Sequence, residues 1–242
     1  MSQLAVILVR PAKAANVGAA ARAMKNFGFR DLRVVGGDHA LVGGDEHGEA
    51  RALAWNADDV LEGARRFDTL EEATADLALT AATSGMEPPR GETLTPATFA
   101  TEARSLGGEE AVGLVFGPET HGLTGFELDR CRVRVRIPTE GEQPSLNLAQ
   151  AVVTCCYEMA RSAEPAAHPA GVDPPAPEAE LQRLHDKARD LLLKAGYLNP
   201  QEPEHVLGEL RRLLARARPS RRELTLLLGL VAQLDWAQRE KP

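Results

Sequence analysis

Two kinds of apolar pattern alternate along the chain. The unbroken aliphatic run at residues 4–9 reads as a strand covered on both faces, as in a parallel sheet; the apolar stretches at 32–35, 77–83 and 112–116 read as further strands, and 133–137 as a fifth with arginines at alternate positions. Between them, apolar residues at three- and four-residue spacing predict helices over 16–27, 48–55, 59–65, 70–75, 96–106, 124–131 and 146–161. Asn16 is the expected N-cap of the first helix and Gly28 its stop, Thr69 introduces the fourth, and Phe67 opens a further short strand. Strands alternating with helices predict an α/β fold with right-handed crossovers.

Past residue 161 the pattern changes. Residues 162–177 are rich in alanine and proline, a semi-rigid linker. Three helical patterns follow at 178–195, 204–217 and 221–236, broken by Gly196 and by Pro219-Ser220. The expected organisation is an α/β domain over 1–162, a linker over 163–177, and a small all-α extension over 178–242.

Composition refines this picture at three points. With only 4% aromatic residues, aliphatic side chains must build the core. A net charge of -7 over 242 residues argues against a protein that coats nucleic acid through bulk charge, but it leaves room for a local basic patch. Six arginines (Arg211, Arg212, Arg216, Arg218, Arg221 and Arg222) stand against the single acid Glu209 between residues 205 and 222. They read either as phosphate contacts or as a solvated helix face. Lys13, Lys25 and Arg30 extend the basic character near the first helix. Cys131, Cys155 and Cys156 have no metal-ligand spacing, so no metal site is expected. No basic leader and no run of about 20 apolar residues occur. The expectation is a cytoplasmic protein with no membrane segment.

Candidate chemistry gathers where strands end. Gly117 and Gly122 flank Glu119 just past the fourth strand, and Ser145 and Asn147 stand at the entrance to the long helix. Glu119 reads either as an acceptor for a ribose or an arginine, or as a helix cap. Ser145 is a sufficient N-cap, whereas Asn147 inside a helix lacks a structural reason. Arg22 follows an alanine run on a helix expected to pack against the sheet, where it reads either as a buried or half-buried guanidinium that would need a partner or as a solvated surface arginine. No G-x-G-x-x-G and no G-x-x-x-x-G-K-[ST] is present, which disfavours a dinucleotide fold or a P-loop.

Three segments taken together carry a family resemblance. Asn16-Val-Gly-Ala-Ala-Ala-Arg-Ala-Met-Lys-Asn-Phe-Gly28, Leu114-Val-Phe-Gly-Pro-Glu-Thr-His-Gly-Leu123, and Ile137 with Pro144-Ser-Leu-Asn-Leu-Ala-Gln-Ala-Val152 resemble the three motifs of the SpoU branch of the SPOUT RNA methyltransferases. The tail, with Leu191-Leu-Leu-Lys-Ala-Gly-Tyr-Leu-Asn-Pro200, is similar to the helical extension of the TrmJ type, enzymes that methylate a ribose 2′-hydroxyl at nucleotide 32 of the tRNA anticodon loop.

The resemblance implies a Rossmann-like parallel α/β sheet whose C-terminal part, about residues 80–162, forms a deep trefoil knot. It implies S-adenosyl-L-methionine as cofactor, held by Thr83, Ser84, Gly85, Gly117, Ile137, Pro144, Ser145 and Leu146. Arg22, Glu119, Ser145, Asn147 and Asn16 would be the catalytic set, with Arg22 stabilising developing charge. The implied partners are tRNA, bound through the tail arginines, and a second copy in a homodimer, packed through the helices that begin at Asn16 and Leu146. Two alternatives are methylation of ribosomal RNA or of another tRNA position, and a catalytically silent RNA-binding module.

Overall fold

The computed structural model describes residues 3–37, 48–85, 93–106, 110–140, 145–161 and 176–239. Seven strands form one sheet: β1 (Gln3–Val9), β2 (Asp31–Val35), β3 (Arg65–Phe67), β4 (Leu79–Thr83), β5 (Thr93–Leu94), β6 (Ala111–Phe116) and β7 (Val133–Val135). Their order is β3-β2-β1-β6-β4-β7-β5, and every pairing between neighbours is parallel. Strand order turns back between β1 and β6, so their carboxyl ends border the crevice where open α/β sheets bind ligands.

The two-residue period of β1 decides which core each side chain enters. Leu4, Val6 and Leu8 join the larger cluster with α1 (Ala14–Asn26), α2 (Glu49–Ala54), α3 (Asp58–Glu62), α5 (Pro96–Ser105) and α7 (Leu148–Arg161). Ala5, Ile7 and Val9 join the opposite cluster, which takes Leu70 and Ala73 from α4 (Leu70–Thr74) and Leu123 and Cys131 from either side of α6 (Gly125–Arg130). Helices α1 and α7 run side by side in one direction. Asn147 Nδ2 donates to Asn16 Oδ1 at 3.2 Å near their starts, and Phe27 meets Tyr157 edge-on at 6.0 Å near their ends. Gly18 lets α2 cross α1 closely, since a Cβ there would lie 2.0 Å from the Ala50 carbonyl oxygen.

The remaining helices are α8 (Glu178–Lys194), α9 (Pro203–Ala217) and α10 (Arg221–Arg239). Leu181 and Leu184 of α8 bury against Leu224, with Leu228 and Val231 alongside, so these helices share a small core of their own. They are also fastened to the sheet. The Glu178 amide donates to the Leu77 carbonyl at 3.2 Å, and its carboxylate accepts from Arg132 Nε at 2.7 Å and from Thr80 Oγ1 at 3.2 Å. No described helix is long and apolar enough to cross a membrane.

Several element boundaries differ from expectation. Helix α1 begins at Ala14 after Lys13, so Asn16 lies inside its first turn and is not the N-cap. Helix α7 begins at Leu148, so Asn147 precedes the helix and caps it: its Oδ1 accepts from the Ala149 amide at 2.9 Å. The expected 59–65 helix ends at Glu62 before Gly63, and Arg65 enters β3. Two-residue β5 has too short a pattern to be read. Pro144 and the 163–175 part of the linker lie outside the described residues.

Candidate active site

A cavity of about 390 Å³ opens at the carboxyl ends of β4, β6 and β7. That lies within the range of about 300–1,000 Å³ usual for small-molecule sites. Its wall brings together Thr83, Ser84, Gly85, Gly117, Ile137, Ser145 and Leu146, all the described residues the sequence had marked for a cofactor. The loops are held from below. Thr83 Oγ1 donates to the Val115 carbonyl at 2.9 Å, and the Ser84 amide donates to the Val135 carbonyl at 3.0 Å. Gly117 is required by the backbone around it. A Cβ there would lie 2.3 Å from Gly122 C and Leu123 N, so the chain's own turn, not a ligand, demands the bare Cα.

Glu119 ties the three motifs together on the same wall. Its Oε1 accepts from Asn16 Nδ2 at 2.5 Å, and its Oε2 accepts from the Ala12 amide at 2.9 Å. A carboxylate can only accept, so Asn16 must turn its NH2 toward Glu119 and leave its carbonyl oxygen for Asn147 Nδ2. Charge on Glu119 therefore sets the orientation of both amides. Burial pushes the Glu119 carboxyl up, but the bonds from Asn16 and Ala12, with Lys13 nearby, outweigh it and hold the group below the usual carboxylate range. Glu119 stays ionised and is an orienting acceptor, not a proton-taking base. It caps no helix; α6 is capped by Thr124, whose side chain forms a capping box with Glu127.

The other candidates fall in different places. Ser145 lines the cavity but is exposed and does not cap α7. Arg22 takes the solvated reading of the two, not the buried or half-buried one. The buried face of α1 carries Val17, Ala21 and Met24, and helical spacing puts Ala15, Ala19 and Arg22 on the outer face, where Arg22 is exposed. Of the basic residues near the first helix, Lys25 and Arg30 both pair with Asp59. The tail arginines divide. Arg211 is buried and bonded to Glu204 at 2.6 Å. Arg212 meets Asp129 at 3.5 Å and Glu209 at 3.0 Å, Arg218 pairs with Glu102, and Arg221 lies 3.8 Å from Glu180. Arg216 and Arg222 are exposed.

Sequence reasoning missed the support of this site. Arg10, in left-handed backbone (φ 45°), makes a two-pronged bond to Glu127 at 2.5 and 3.1 Å. That clasp fixes the Arg10–Ala12 turn, from which the Ala12 amide reaches Glu119. The Thr124-Gly-Phe-Glu127 capping box was visible as a pattern, but nothing local to Arg10 announced a partner 117 residues away. Thr139 was missed too. It lines the cavity, and its Oγ1 is buried with no hydrogen-bond partner among the described residues. An orphan hydroxyl, backbone groups from three loops, and the apolar Leu123, Leu146 and Leu148 suit a mixed polar and apolar ligand such as S-adenosylmethionine. Among the described residues no cluster of three or more His, Cys, Asp or Glu could hold a metal ion.

Residues 3–157 match the SpoU rRNA Methylase family, and residues 179–242 match the C-terminal domain of the tRNA methyltransferase TrmJ. The tRNA (cytidine/uridine-2′-O-)-methyltransferase TrmJ of Klebsiella pneumoniae is 36% identical over 252 residues, covering 100% of both chains. The tRNA (cytidine/uridine/adenosine-2′-O-)-methyltransferase TrmJ of Pseudomonas aeruginosa is 36% identical over 257 residues, covering 99% of this chain and 96% of its own. The crystal structure of TrmJ from Z. mobilis ZM4 superposes with a TM-score of 0.82 at 35% identity, covering 96% of this chain and 98% of that one.

Proposed function

The chain belongs to the SpoU rRNA Methylase family, and on that premise we propose that it methylates a ribose 2′-hydroxyl of tRNA with S-adenosylmethionine, at nucleotide 32 of the anticodon loop. The observation that carries this reading is the meeting of three distant segments at Glu119, beside a cavity lined by the expected cofactor loops. The tail match and the tRNA-specific names of full-length relatives favour tRNA over ribosomal RNA.

In this reading Thr83, Ser84, Gly85, Gly117, Ile137, Pro144, Ser145 and Leu146 hold the cofactor within a knotted region at about residues 80–162. When bound, S-adenosylmethionine supplies a methyl carbon made electrophilic by its sulfonium. The protein must orient a weakly acidic hydroxyl in line with that carbon and stabilise the charge it develops. Asn16 and Asn147, locked by Glu119, hold fixed amide groups behind the wall that Glu119 lines, and Ser145 adds a hydroxyl on that wall. A guanidinium rarely gives up its proton, so Arg22 serves by stabilising the alkoxide or by gripping an adjacent phosphate through two N–H groups.

Arg22 points outward from α1, so it is a second copy of the chain that would bring it to a neighbouring cavity. The half-exposed Ala15 and Ala19, with Val153 and Tyr157 of α7, offer small and apolar surface for such a homodimer. Residues 1–162 then form the catalytic domain, and 178–242 the tRNA-binding extension. Ribose-methylation mapping by mass spectrometry, on tRNA incubated with protein and S-adenosylmethionine, tests the reading. Methylation at nucleotide 32 is expected. A mark elsewhere on tRNA would move the position, and marks on ribosomal RNA alone would overturn the substrate.

A further inference from the structure

A second cavity of about 550 Å³ lies between the tail and the sheet, bordered by α6, β7 and α9. Six arginines line it: Arg132, Arg134, Arg211, Arg212, Arg216 and Arg218. Three carboxylates share the wall, Glu102, Asp129 and Glu209, which among the described residues leaves a formal surplus of three positive charges, six less three.

These acids are already engaged. Asp129 is shared by Arg134 at 2.9 Å and Arg212 at 3.5 Å, Glu209 pairs with Arg212, and Glu102 with Arg218. Arg132 and Arg211 pair with Glu178 and Glu204, which stand outside the wall; counting both reduces the surplus to one. Pairing still leaves gaps at the most enclosed positions. Arg132 Nη1 and Arg211 Nε are buried with no hydrogen-bond partner among the described residues, and the two arginines are only 6% and 8% exposed. A charged donor buried without an acceptor is costly, and native sites rarely leave one unsatisfied.

The neighbouring His185 registers the same field. Burial, followed by the charges of Arg211, Arg130 and Arg132, pushes its imidazole down to about 4, so it stays neutral. Water could accept from one orphan donor but would leave the charge surplus unmet. A tetrahedral anion with several oxygens meets both needs. From the exposed Arg216, basic residues continue along the tail to the exposed Arg221 and Arg222.

We propose that this cavity between sheet and tail takes a phosphate group of the RNA backbone, with Arg132 and Arg211 at its floor and Arg216 at its rim. The proposal rests on the tRNA reading above. Its role is to hold tRNA against both parts of the chain without reading sequence.

The test leaves the buried arginines intact and uses Arg216→Gln together with Ala215→Glu. Ala215 also lines the cavity, and a carboxylate there would compete with phosphate for the orphan donors. tRNA affinity is measured by filter binding across a salt series, with calorimetric S-adenosylmethionine binding confirming that each variant is folded. Each variant should bind tRNA about tenfold more weakly and lower the steepness of log affinity against log salt by about one. Wild-type affinity and slope in both variants would overturn the proposal.

A second arm titrates inorganic phosphate while following the His185 resonance by NMR. A His185 shift that tRNA abolishes supports one shared site. Phosphate that shifts His185 while tRNA stays bound would assign the cavity to a free anion and sink the RNA assignment. A wild-type protein that binds tRNA with these properties but methylates nothing would instead refute the enzymatic reading.

Discussion

At the scale of single residues, the site turns on one ionised carboxylate. Both Glu119 oxygens are taken by donors, and the orientation of Asn16 and then Asn147 follows from that charge. Glu119→Gln keeps the shape but gives the position an NH2 of its own, which must face either Asn16 Nδ2 or the Ala12 amide. Losing a hydrogen bond to a charged group costs about 1.5–3 kcal/mol. If the network acts in the transition state, the turnover rate should fall by about 10- to 150-fold. Single-turnover methylation is the measurement, and an undiminished rate would remove the network from the mechanism. The sequence made these three residues stand out but misassigned their local roles. Asn16 looked like a cap and Asn147 like a helix interior because capping depends on the first helical residue, and hydrophobic spacing blurs that by a turn. Arg22 could be read as buried because the alanines before it read as core on every side. Which face of α1 meets the sheet became clear only with α2 and α7 in place.

At the scale of elements, long aliphatic strands and amphipathic helices were legible because each carries its own period. Strand β5 and the clasp of Arg10 on Glu127 were not, since two residues have no period and a contact 117 positions apart leaves no local trace. The same limit hid the setting of α8, whose pattern shows a buried face without saying what lies opposite. His185 on that face is buried beside Arg130, Arg132 and Arg211, and burial together with their charge pushes its imidazole from 6.5 down to about 4. The unfolded chain takes up a proton near its ordinary value that the folded chain refuses. This contribution is therefore fully present above pH 6.5 and is lost as pH falls toward about 4. Between about pH 6.5 and 5 the native state should lose about 1.6 kcal/mol from this group. Denaturant midpoints at the two pH values check it, and His185→Leu should flatten the difference. An equal slope in that variant would show that other groups set the pH dependence.

At the scale of the whole molecule, the tail is joined to the α/β part through a buried ion pair as well as through backbone hydrogen bonds from Glu178 and Ala179. Arg132 at the entrance to β7 and Glu178 at the start of α8 meet at 2.7 Å, with side chains 1% and 10% exposed. Burial pushes the Glu178 carboxyl up, with Arg132 and Thr80 opposing it, so the pair spends much of its attraction on its own desolvation. Such a pair adds little net stability, yet breaking it is expensive because it strands a buried charge. Glu178→Ala should therefore destabilise the protein by about 3–5 kcal/mol, whereas the double variant Glu178→Leu with Arg132→Met should recover most of that loss. The informative comparison is then functional. The double variant keeps the tail docked but removes a guanidinium from the cavity between tail and sheet. It should bind S-adenosylmethionine as the wild type does, hold tRNA more weakly, and show a shallower salt dependence. Restored stability with wild-type tRNA affinity would mean the pair is only a joint. Restored stability with weakened tRNA binding would mean that the buried charge is kept for the RNA it helps to hold.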